Sequence, residues 1–183
     1  TKRKLAEQAM RVAAAAFESQ ECMIVTDANN IILRVNRAFT DVTGFLPEDV
    51  IGQSPSLLKS GRHPPEFYRA MWDSINSSGG WQGEILGRRK EGEIYPKWLS
   101  ISVVKNDDGE ITHYIGAHYD ITHRKRAEEK INELAFFDPL TNLPNRRLLR
   151  DRLKRAMVAS NRSGRYGALL FIDLDNFKTL NDT

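Results

Sequence analysis

The chemically richest stretch of this sequence follows an apolar run at residues 168–172. Asp173 and Asp175 come directly after the run, and Lys178 and Asn181 follow within a few positions. Carboxylates at a strand end are suited to hold a divalent cation, and a nearby lysine is suited to meet a phosphate. The spacing therefore predicts a metal and phosphate site. The alternative is a solvated strand end, where Asp and Asn only terminate the β run.

The elements that precede this stretch must position it. Residues 146–160 carry apolar side chains at helical spacing among many basic ones, which predicts a basic amphipathic helix. Residues 138–145 contain two prolines and two asparagines and indicate a turn-rich break before that helix. A strand over residues 168–172 then follows, so this part of the chain predicts the beginning of an α/β domain.

A different pattern occupies the first two thirds of the chain. Residues 3–19 predict an amphipathic helix, and two short strands and short helices follow it; Asn36 is suited to cap the first short helix and Gly44 to end it. A polar loop over residues 53–65 then precedes a helix over residues 66–77. Three longer strands are predicted over residues 81–90, 93–105 and 110–122, separated by hairpin turns. This order predicts an α+β domain with an antiparallel five-stranded sheet and flanking helices.

Composition excludes several classes of protein. The 183 residues are 40% hydrophobic and 28% charged, and no apolar run is long enough to span a membrane. The single cysteine, Cys22, excludes a disulfide framework and suits a reducing, cytoplasmic compartment; a membrane anchor upstream of Thr1 stays open. The basic stretch from His123 to Arg155 lacks the aromatic interleaving of nucleic-acid binders, so no nucleic-acid partner is expected.

The stretch between the two patterns predicts a signalling helix. Ala127, Ile131 and Leu134 recur at helical spacing, but too briefly for a stable isolated helix. We therefore expect a homodimer through the helices that flank the sheet domain. Asp120 and Thr122 end the last predicted strand where this helix begins, and hydrogen bonds there are expected to couple strand to helix.

Residues 20–122 resemble a PAS sensor domain with its C-terminal cap. The resemblance rests on Asn36-Arg-Ala-Phe39 with Thr43-Gly44, on Trp81-Gln-Gly-Glu84, and on Tyr119-Asp-Ile-Thr122. It implies a pocket between the sheet and the helices that holds haem, flavin, a small acid or nothing.

The sequence does not identify the ligand of that pocket. Covalent flavin photochemistry is disfavoured because residues 52–58 contain no cysteine. Haem is disfavoured because each histidine suits a surface or packing position better than an axial one. Non-covalent flavin remains a candidate, and the residues that could flank it are Trp72, Trp81 and Trp98.

Residues 137–183 resemble the opening of a GGDEF domain, the diguanylate cyclase family. The matching pieces are Asp138-Pro-Leu-Thr141, Leu143-Pro-Asn-Arg-Arg147 and the stretch from Phe171 to Asp182. The resemblance implies that two GTP molecules, each held by one protomer with Mg²⁺, condense into cyclic di-GMP. Carried over by position, the metal ligands are Asp173, the backbone carbonyl of Leu174 and, as a further candidate, Asp175. The GTP-binding residues are Asn176, Phe177, Lys178 and Asn181.

The predicted organisation has four parts: an N-terminal amphipathic helix at 1–19, a PAS sensor domain at 20–122, a helical signalling linker at 123–137, and the N-terminal part of a GGDEF domain at 138–183. The Gly-Gly-Asp/Glu-Glu-Phe loop is expected beyond Thr183. The chain is therefore expected to be catalytically incomplete and poorly packed after residue 137, with cyclase activity only in a longer protein. The alternative is a non-catalytic GTP-binding or dimerisation module that regulates a downstream cyclic di-GMP phosphodiesterase (EAL) domain.

Overall fold

The structure, a computed structural model, describes residues 2–170 and 172 in two compact units, one up to Arg126 and one from Ala127 onward. The first unit contains α1 (Lys2–Phe17), β1 (Cys22–Asp27), β2 (Ile32–Val35), α2 (Arg37–Thr43), α3 (Pro47–Val50), a 3₁₀ helix (Pro55–Leu58), α4 (Pro65–Ser78), β3 (Gly80–Arg88), β4 (Ile94–Lys105) and β5 (Ile111–Asp120). Helix α5 (Thr122–Phe136) begins in the first unit and continues into the second, which also contains α6 (Arg146–Ser163).

An antiparallel five-stranded sheet in the order β2-β1-β5-β4-β3 frames the first unit, which confirms the predicted α+β class. Side chains alternate between the two faces of such a sheet. In this register Lys97 of β4 pairs with Asp120 of β5, and Leu99 pairs with His118. Lys97 and His118 are therefore diagonal neighbours on the face that the helices cover.

Asn36 joins the end of α1 to the sheet and to α2. Its Oδ1 accepts the backbone N–H of Phe39 at 3.0 Å, as expected of a helix cap, and the N–H of Met23 at 2.9 Å. Its Nδ2 donates to the carbonyl oxygens of Phe17 and Glu21, each at 2.8 Å. All of these bonds are made by one buried side chain, so the entry of the chain into the sheet is fixed by a residue that the sequence identifies only as a cap.

A compact apolar core fills the space between β1, β2 and the short helices. Gly44 ends α2 in the left-handed region with φ of 75°, and this sharp stop turns the chain toward α3. The seven buried residues of this cluster are Cys22, Ile24, Ile32, Val35, Phe39, Val50 and Leu58. This core lies on the β1–β2 side of the sheet, so its seven residues do not fill the space between β4 and α4.

Three local features differ from the sequence predictions. Residues 55–58, predicted as loop, form a 3₁₀ helix capped by the Ser54 side chain. Helix α5 begins at Thr122 because the Asp120 carboxylate accepts the Thr122 backbone N–H, so β5 ends two residues earlier than predicted. The strand predicted at 168–172 is absent from its described residues, 168–170 and 172, and an apolar run without a neighbouring strand has no ladder to join.

In the second unit, Asp138 and Asn145 organise the turn that precedes α6. Asp138 Oδ1 accepts the backbone N–H groups of Leu140 and Thr141 at 3.1 and 2.9 Å. Asn145 caps α6 through Oδ1, and its Nδ2 donates to the Ala135 carbonyl at 3.0 Å. Two polar residues of the GGDEF-like motif therefore have a local structural role. No described residue of α6 is buried.

Candidate functional site

A cavity of about 120 Å³ lies between the inner face of the sheet and helix α4. A cavity of about 150 Å³ accommodates a benzene ring, so this space suits a ligand of similar size. Its walls come from β1, β4 and β5 on one side and from the 3₁₀ helix and α4 on the other. Much of the lining is apolar, including Ile24, Leu58, Met71, Ile85, Leu99 and Ile101.

Lys97 is the unusual residue of this cavity. Its side chain lines the space and the residue is only 4% exposed. Gly87 on β3 makes room for it, since a Cβ there would lie 3.0 Å from Lys97 Cε. Lys97 forms no ion pair or hydrogen bond with any described residue, and burial lowers its pKa to about 8. Buried cations are normally paired, so this ammonium group lacks the counter-ion that its position demands.

His118 contributes a second polar atom without a partner. The residue is 1% exposed, and its Nε2 lies 3.4 Å from the Tyr95 hydroxyl. Burial raises the pKa of Tyr95, so its hydroxyl keeps its proton, and which of the two groups donates depends on the His118 tautomer. The other ring nitrogen, Nδ1, is buried and has no hydrogen-bond partner among the described residues. Burial, with the charges of Lys97 and Arg89, holds the pKa of His118 well below its usual value.

Tyr68 of α4 supplies a third polar group without a partner, from the opposite wall. Its hydroxyl is buried without a hydrogen-bond partner in the described part of the chain. The Lys59 ammonium lies 4.3 Å from the centre of the Tyr68 ring, at the exposed edge of the cavity. The described lining residues include two lysines but no aspartate or glutamate. The cavity therefore offers hydrogen-bond donors and positive charge to whatever enters it.

The described residues of this cavity fit neither a metal ion nor a covalent flavin photocycle. Residues 2–170 and 172 hold no group of three or more His, Cys, Asp or Glu side chains that could bind a metal ion. The one cysteine, Cys22, donates to the Ala38 carbonyl at 3.3 Å, and burial raises its pKa to about 11. The wall near residues 55–58 carries no thiol. A non-covalently bound flavin stays a prediction.

The three tryptophans proposed for the pocket occupy different places. Trp72 lines the cavity and meets Tyr114 edge to face, with ring centres 5.4 Å apart. Trp81 packs edge-on against Phe67 and is not part of the lining. Trp98 follows Lys97 in β4 and so points to the opposite face of the sheet. Trp81 and Trp98 therefore do not line the cavity. Trp81 packs against Phe67, and Trp98 lies on the other face of the sheet.

Strand β5, which lines the cavity, is joined to α5 at a junction formed by Asp120 and Thr122. Asp120 pairs with Arg89 at 2.5 Å and accepts the Thr122 backbone N–H at 2.7 Å. Burial raises the pKa of Asp120, but the bonds from Thr122 and Arg89 outweigh burial and the net pKa is lowered. Arg89 also donates to the Val42 carbonyl and lies 4.0 Å over the Tyr95 ring. Arg89 thus links α2, β4 and the start of α5.

Glu84 attaches the first turn of α5 to strand β3. Its two carboxylate oxygens meet Arg124 at 2.9 Å and Lys125 at 2.5 Å. The hydrogen bond from Lys125 lowers the pKa of Glu84, and the charge of Arg124 adds to the effect. Sequence reasoning identified Asp120 and Thr122 at this junction but not Glu84, whose partners lie forty residues away along the chain.

The remaining predicted residues stand as follows. Ala127, Ile131 and Leu134 are exposed on α5, and the last two are 65% and 55% accessible. The predicted metal and GTP residues lie outside the described residues: Asp173, Leu174, Asp175, Asn176, Phe177, Lys178 and Asn181. Among residues 2–170 and 172, no helix is both long enough and apolar enough to cross a membrane.

Lys97, Tyr68 and His118 form the part of the site that sequence reasoning missed. A signal for Lys97 exists, because Tyr95, Lys97, Leu99 and Ile101 alternate with Trp98 and Ser100. Three apolar members of that series predict its inward face, and the lysine shares it. No comparable signal marks Tyr68, which sits in a helix with aromatic neighbours on several sides.

Comparison with known proteins identifies two domain families in this chain. The profile of the PAS domain family matches residues 20–123, and that of the diguanylate cyclase GGDEF domain matches residues 135–183. A nitrogen fixation regulatory protein of Klebsiella oxytoca is 31% identical over 122 residues, which are 66% of this chain and 25% of that protein. The cyclic di-GMP phosphodiesterase PdeR of Escherichia coli is 30% identical over 168 residues, 90% of this chain and 25% of that protein.

A solved structure of an RNA-binding light-oxygen-voltage receptor is also similar, at 25% identity and a TM-score of 0.63, over 72% of this chain and 37% of that one. The chain spans about a quarter of the length of the curated relatives described above. The five-stranded sheet with its flanking helices agrees with the family profile over residues 20–123. The chain belongs to the PAS domain family, and a GGDEF domain segment follows its PAS domain.

Proposed function

We propose that this chain is the sensory part of a regulated diguanylate cyclase, in which the PAS cavity controls the GGDEF domain through α5. PAS followed by GGDEF indicates a sensory module in cyclic di-GMP signalling. The observation that carries the finer proposal is the junction at Asp120. Strand β5 lines the cavity through Tyr114, Gly116 and His118, and it ends at Asp120, two residues before the start of α5 at Thr122.

The junction is suited to transmit a change because few bonds hold it. Asp120 is bound to Arg89 and to the first N–H of α5, and Glu84 holds the next turn. A ligand that shifts β4 or β5 changes the geometry of both attachments and so biases the direction of α5. The junction would then be a bistable element with two directions of α5, and the ligand would act through its different affinity for these two states.

The proposal includes a homodimer and a GTP–Mg²⁺ site. Ile131 and Leu134 are exposed and apolar on α5, as are Leu5 and Val12 on α1, so these helices offer faces for a second copy. Replacement of Ile131 and Leu134 by glutamine is expected to shift dimer toward monomer in sedimentation. Asp173 with Mg²⁺ would place the GTP phosphates, following the resemblance.

The test measures cyclic di-GMP formation from GTP in the protein that carries a complete GGDEF domain. Asp173→Ala is expected to abolish product, and Asp120→Ala to change the rate by several-fold while GTP binding persists. Asp108→Ala, in an exposed hairpin turn, is the matched control and should leave the rate unchanged. A rate that is identical in wild type, Asp120→Ala and Asp108→Ala would contradict control through this junction.

A second candidate function rests on the similarity to PdeR, which extends over most of this chain. In that case the GGDEF domain binds GTP without making product and regulates a following phosphodiesterase domain. The same preparation separates the two. The second function predicts GTP binding without cyclic di-GMP synthesis, together with cyclic di-GMP hydrolysis that depends on GTP and on Asp120.

A further inference from the structure

The cavity contains an uncompensated positive charge, and this charge limits what the cavity can hold. Lys97 is 4% exposed and makes no ion pair with a described residue. Its register partner Asp120 cannot serve, because Asp120 is bound to Arg89. Cys22 cannot serve either, because burial raises the pKa of its thiol to about 11 and it remains neutral at pH 7. A buried ammonium without an anion is costly, and an anionic ligand would supply the missing partner.

Two further polar groups lack hydrogen-bond partners at the same cavity. His118 Nδ1 and the Tyr68 hydroxyl are both buried and unpaired within the described residues. His118 is a diagonal neighbour of Lys97 on the sheet, and its pKa is lowered by that lysine, so the two side chains are close. Buried polar groups are normally hydrogen-bonded, so these two atoms, beside an ammonium group without a counter-ion, indicate a place for a ligand with acceptor oxygens. A carboxylate, with two oxygens and about four acceptor positions, matches this set.

The walls of the cavity limit the size and polarity of the rest of the ligand. Leu99 and Ile101 on the sheet and Met71 and Trp72 on α4 give an apolar surface, and the volume of about 120 Å³ suits one ring or a short chain. A strongly hydrated anion such as phosphate would lose its water against such walls without replacement. We propose that the cavity binds a small monocarboxylate, whose carboxylate meets Lys97 and whose apolar body fills the space between β4 and α4.

This inference deepens the sensory function proposed above by naming the ligand class, and it rests on that function only for its signalling consequence. Binding is measurable on the chain without any enzymatic assay. Failure to bind a carboxylate and failure to make or regulate cyclic di-GMP are therefore separate results.

The test is calorimetric titration of the purified chain with benzoate and with benzamide, which have the same shape and differ in charge. Benzoate is expected to bind at least about 10-fold more tightly than benzamide, as for a charge-assisted hydrogen bond in a buried site. Inorganic phosphate is expected not to bind in the cavity. Equal affinity for benzoate and benzamide, or no benzoate binding at millimolar concentration, would overturn the proposal.

Two variants locate the interaction. Lys97→Met is expected to weaken benzoate binding by about 10-fold to 100-fold while leaving benzamide binding unchanged. Lys105→Met is the matched control, because Lys105 is an exposed lysine at the end of the same strand. Unchanged benzoate affinity in Lys97→Met would refute the assignment. The wild-type comparison of benzoate with benzamide decides the matter without a variant if Lys97→Met does not fold.

A pH series adds an independent readout. Burial lowers the pKa of Lys97 to about 8, and the neighbouring His118, Cys22 and Tyr95 are neutral near that pH. Benzoate affinity in wild type is therefore expected to fall as pH rises from 7 to 10, and the Lys97 pKa, followed by NMR, is expected to rise when benzoate binds. An affinity independent of pH over this range would contradict the role of Lys97.

Discussion

Lys97 and Glu84 lie on neighbouring strands and on opposite faces of one sheet. They differ in whether an oppositely charged side chain balances their charge. Glu84 is paired with Arg124 and Lys125 at the outer face, where its side chain is 41% exposed. Lys97 is buried at the inner face without a counter-ion among the described residues. The satisfied charge belongs to a structural junction, and the unsatisfied charge marks a place for a ligand. The Lys97 charge thus destabilises the folded state, whereas the Glu84 charge holds α5 to β3 locally.

The largest effect that sharpens this comparison is expected from Lys97→Met. Lys97 has a pKa of about 8 when folded against 10.5 in the ordinary state, so its charged form costs about 3 kcal/mol at pH 7. Methionine removes that cost and fills similar space. The variant should therefore have a higher free energy of unfolding at pH 7, measured by urea denaturation.

The sign of the pH dependence follows from the same shift. Between pH 8 and 10.5 the unfolded lysine holds a proton that the folded one has lost, so wild-type stability rises with pH relative to Lys97→Met. The advantage of the variant should shrink from pH 7 to pH 10. A constant difference between the two proteins across that range would show that Lys97 is not desolvated in the native state. Lys105→Met controls for loss of a surface charge.

Asp120→Ala is expected to give the next largest effect, in the opposite direction. It removes the partner of Arg89, which is 22% exposed, and the cap of α5. Loss of a partly buried pair and a cap should destabilise the first unit by about 2 kcal/mol in urea unfolding. Asp120→Asn keeps an acceptor for the Thr122 N–H and should lose less. Equal losses in both variants would place the whole effect in the Arg89 charge pair.

His118→Phe tests the acid side of the inner face. The pKa of His118 is far below 6.5 in the folded state, so the unfolded chain takes up a proton first as pH falls. Stability contributed by the neutral imidazole is therefore present above pH 6.5 and lost below it. The phenylalanine variant, which keeps an aromatic ring beside Phe39, should lose less stability than wild type between pH 7 and 5. Parallel stability curves for the two proteins would argue against a buried neutral histidine.

The sequence predicts the frame of the first unit well because local rules and tertiary packing agree there. Asn36 has the chemistry of a cap and is one, and Gly44 has the chemistry of a left-handed stop and adopts φ of 75°. The hairpins around Gly92 and Gly109 likewise separate strands whose residues alternate. In each case the residue type acts on the backbone within a few positions.

The polar residues of the cavity could not be assigned by the same means. A lysine in a strand is usually a solvated residue, and only the closure of α4 over β4 makes Lys97 a buried one. Trp98 is a large aromatic residue suited to a pocket, yet the register sends it to the outer face. Which face is covered depends on contacts between distant segments, and these are not encoded in any local pattern.

Glu84→Gln is expected to produce the smallest effect and the most local one. The carboxylate is exposed enough for water and salt to weaken its attraction to Arg124 and Lys125, so global stability should barely change. The first turn of α5 should nevertheless exchange its amide protons faster, because it loses its attachment to β3. Hydrogen exchange measured at low and high salt checks this: wild type at high salt should approach the variant. Lys130, paired with Glu133 within α5, offers a control in Lys130→Gln, which leaves the β3 attachment intact. If both variants exchange alike, the junction is held by Asp120 alone, and the outer face contributes no attachment that a ligand at Lys97 could act on.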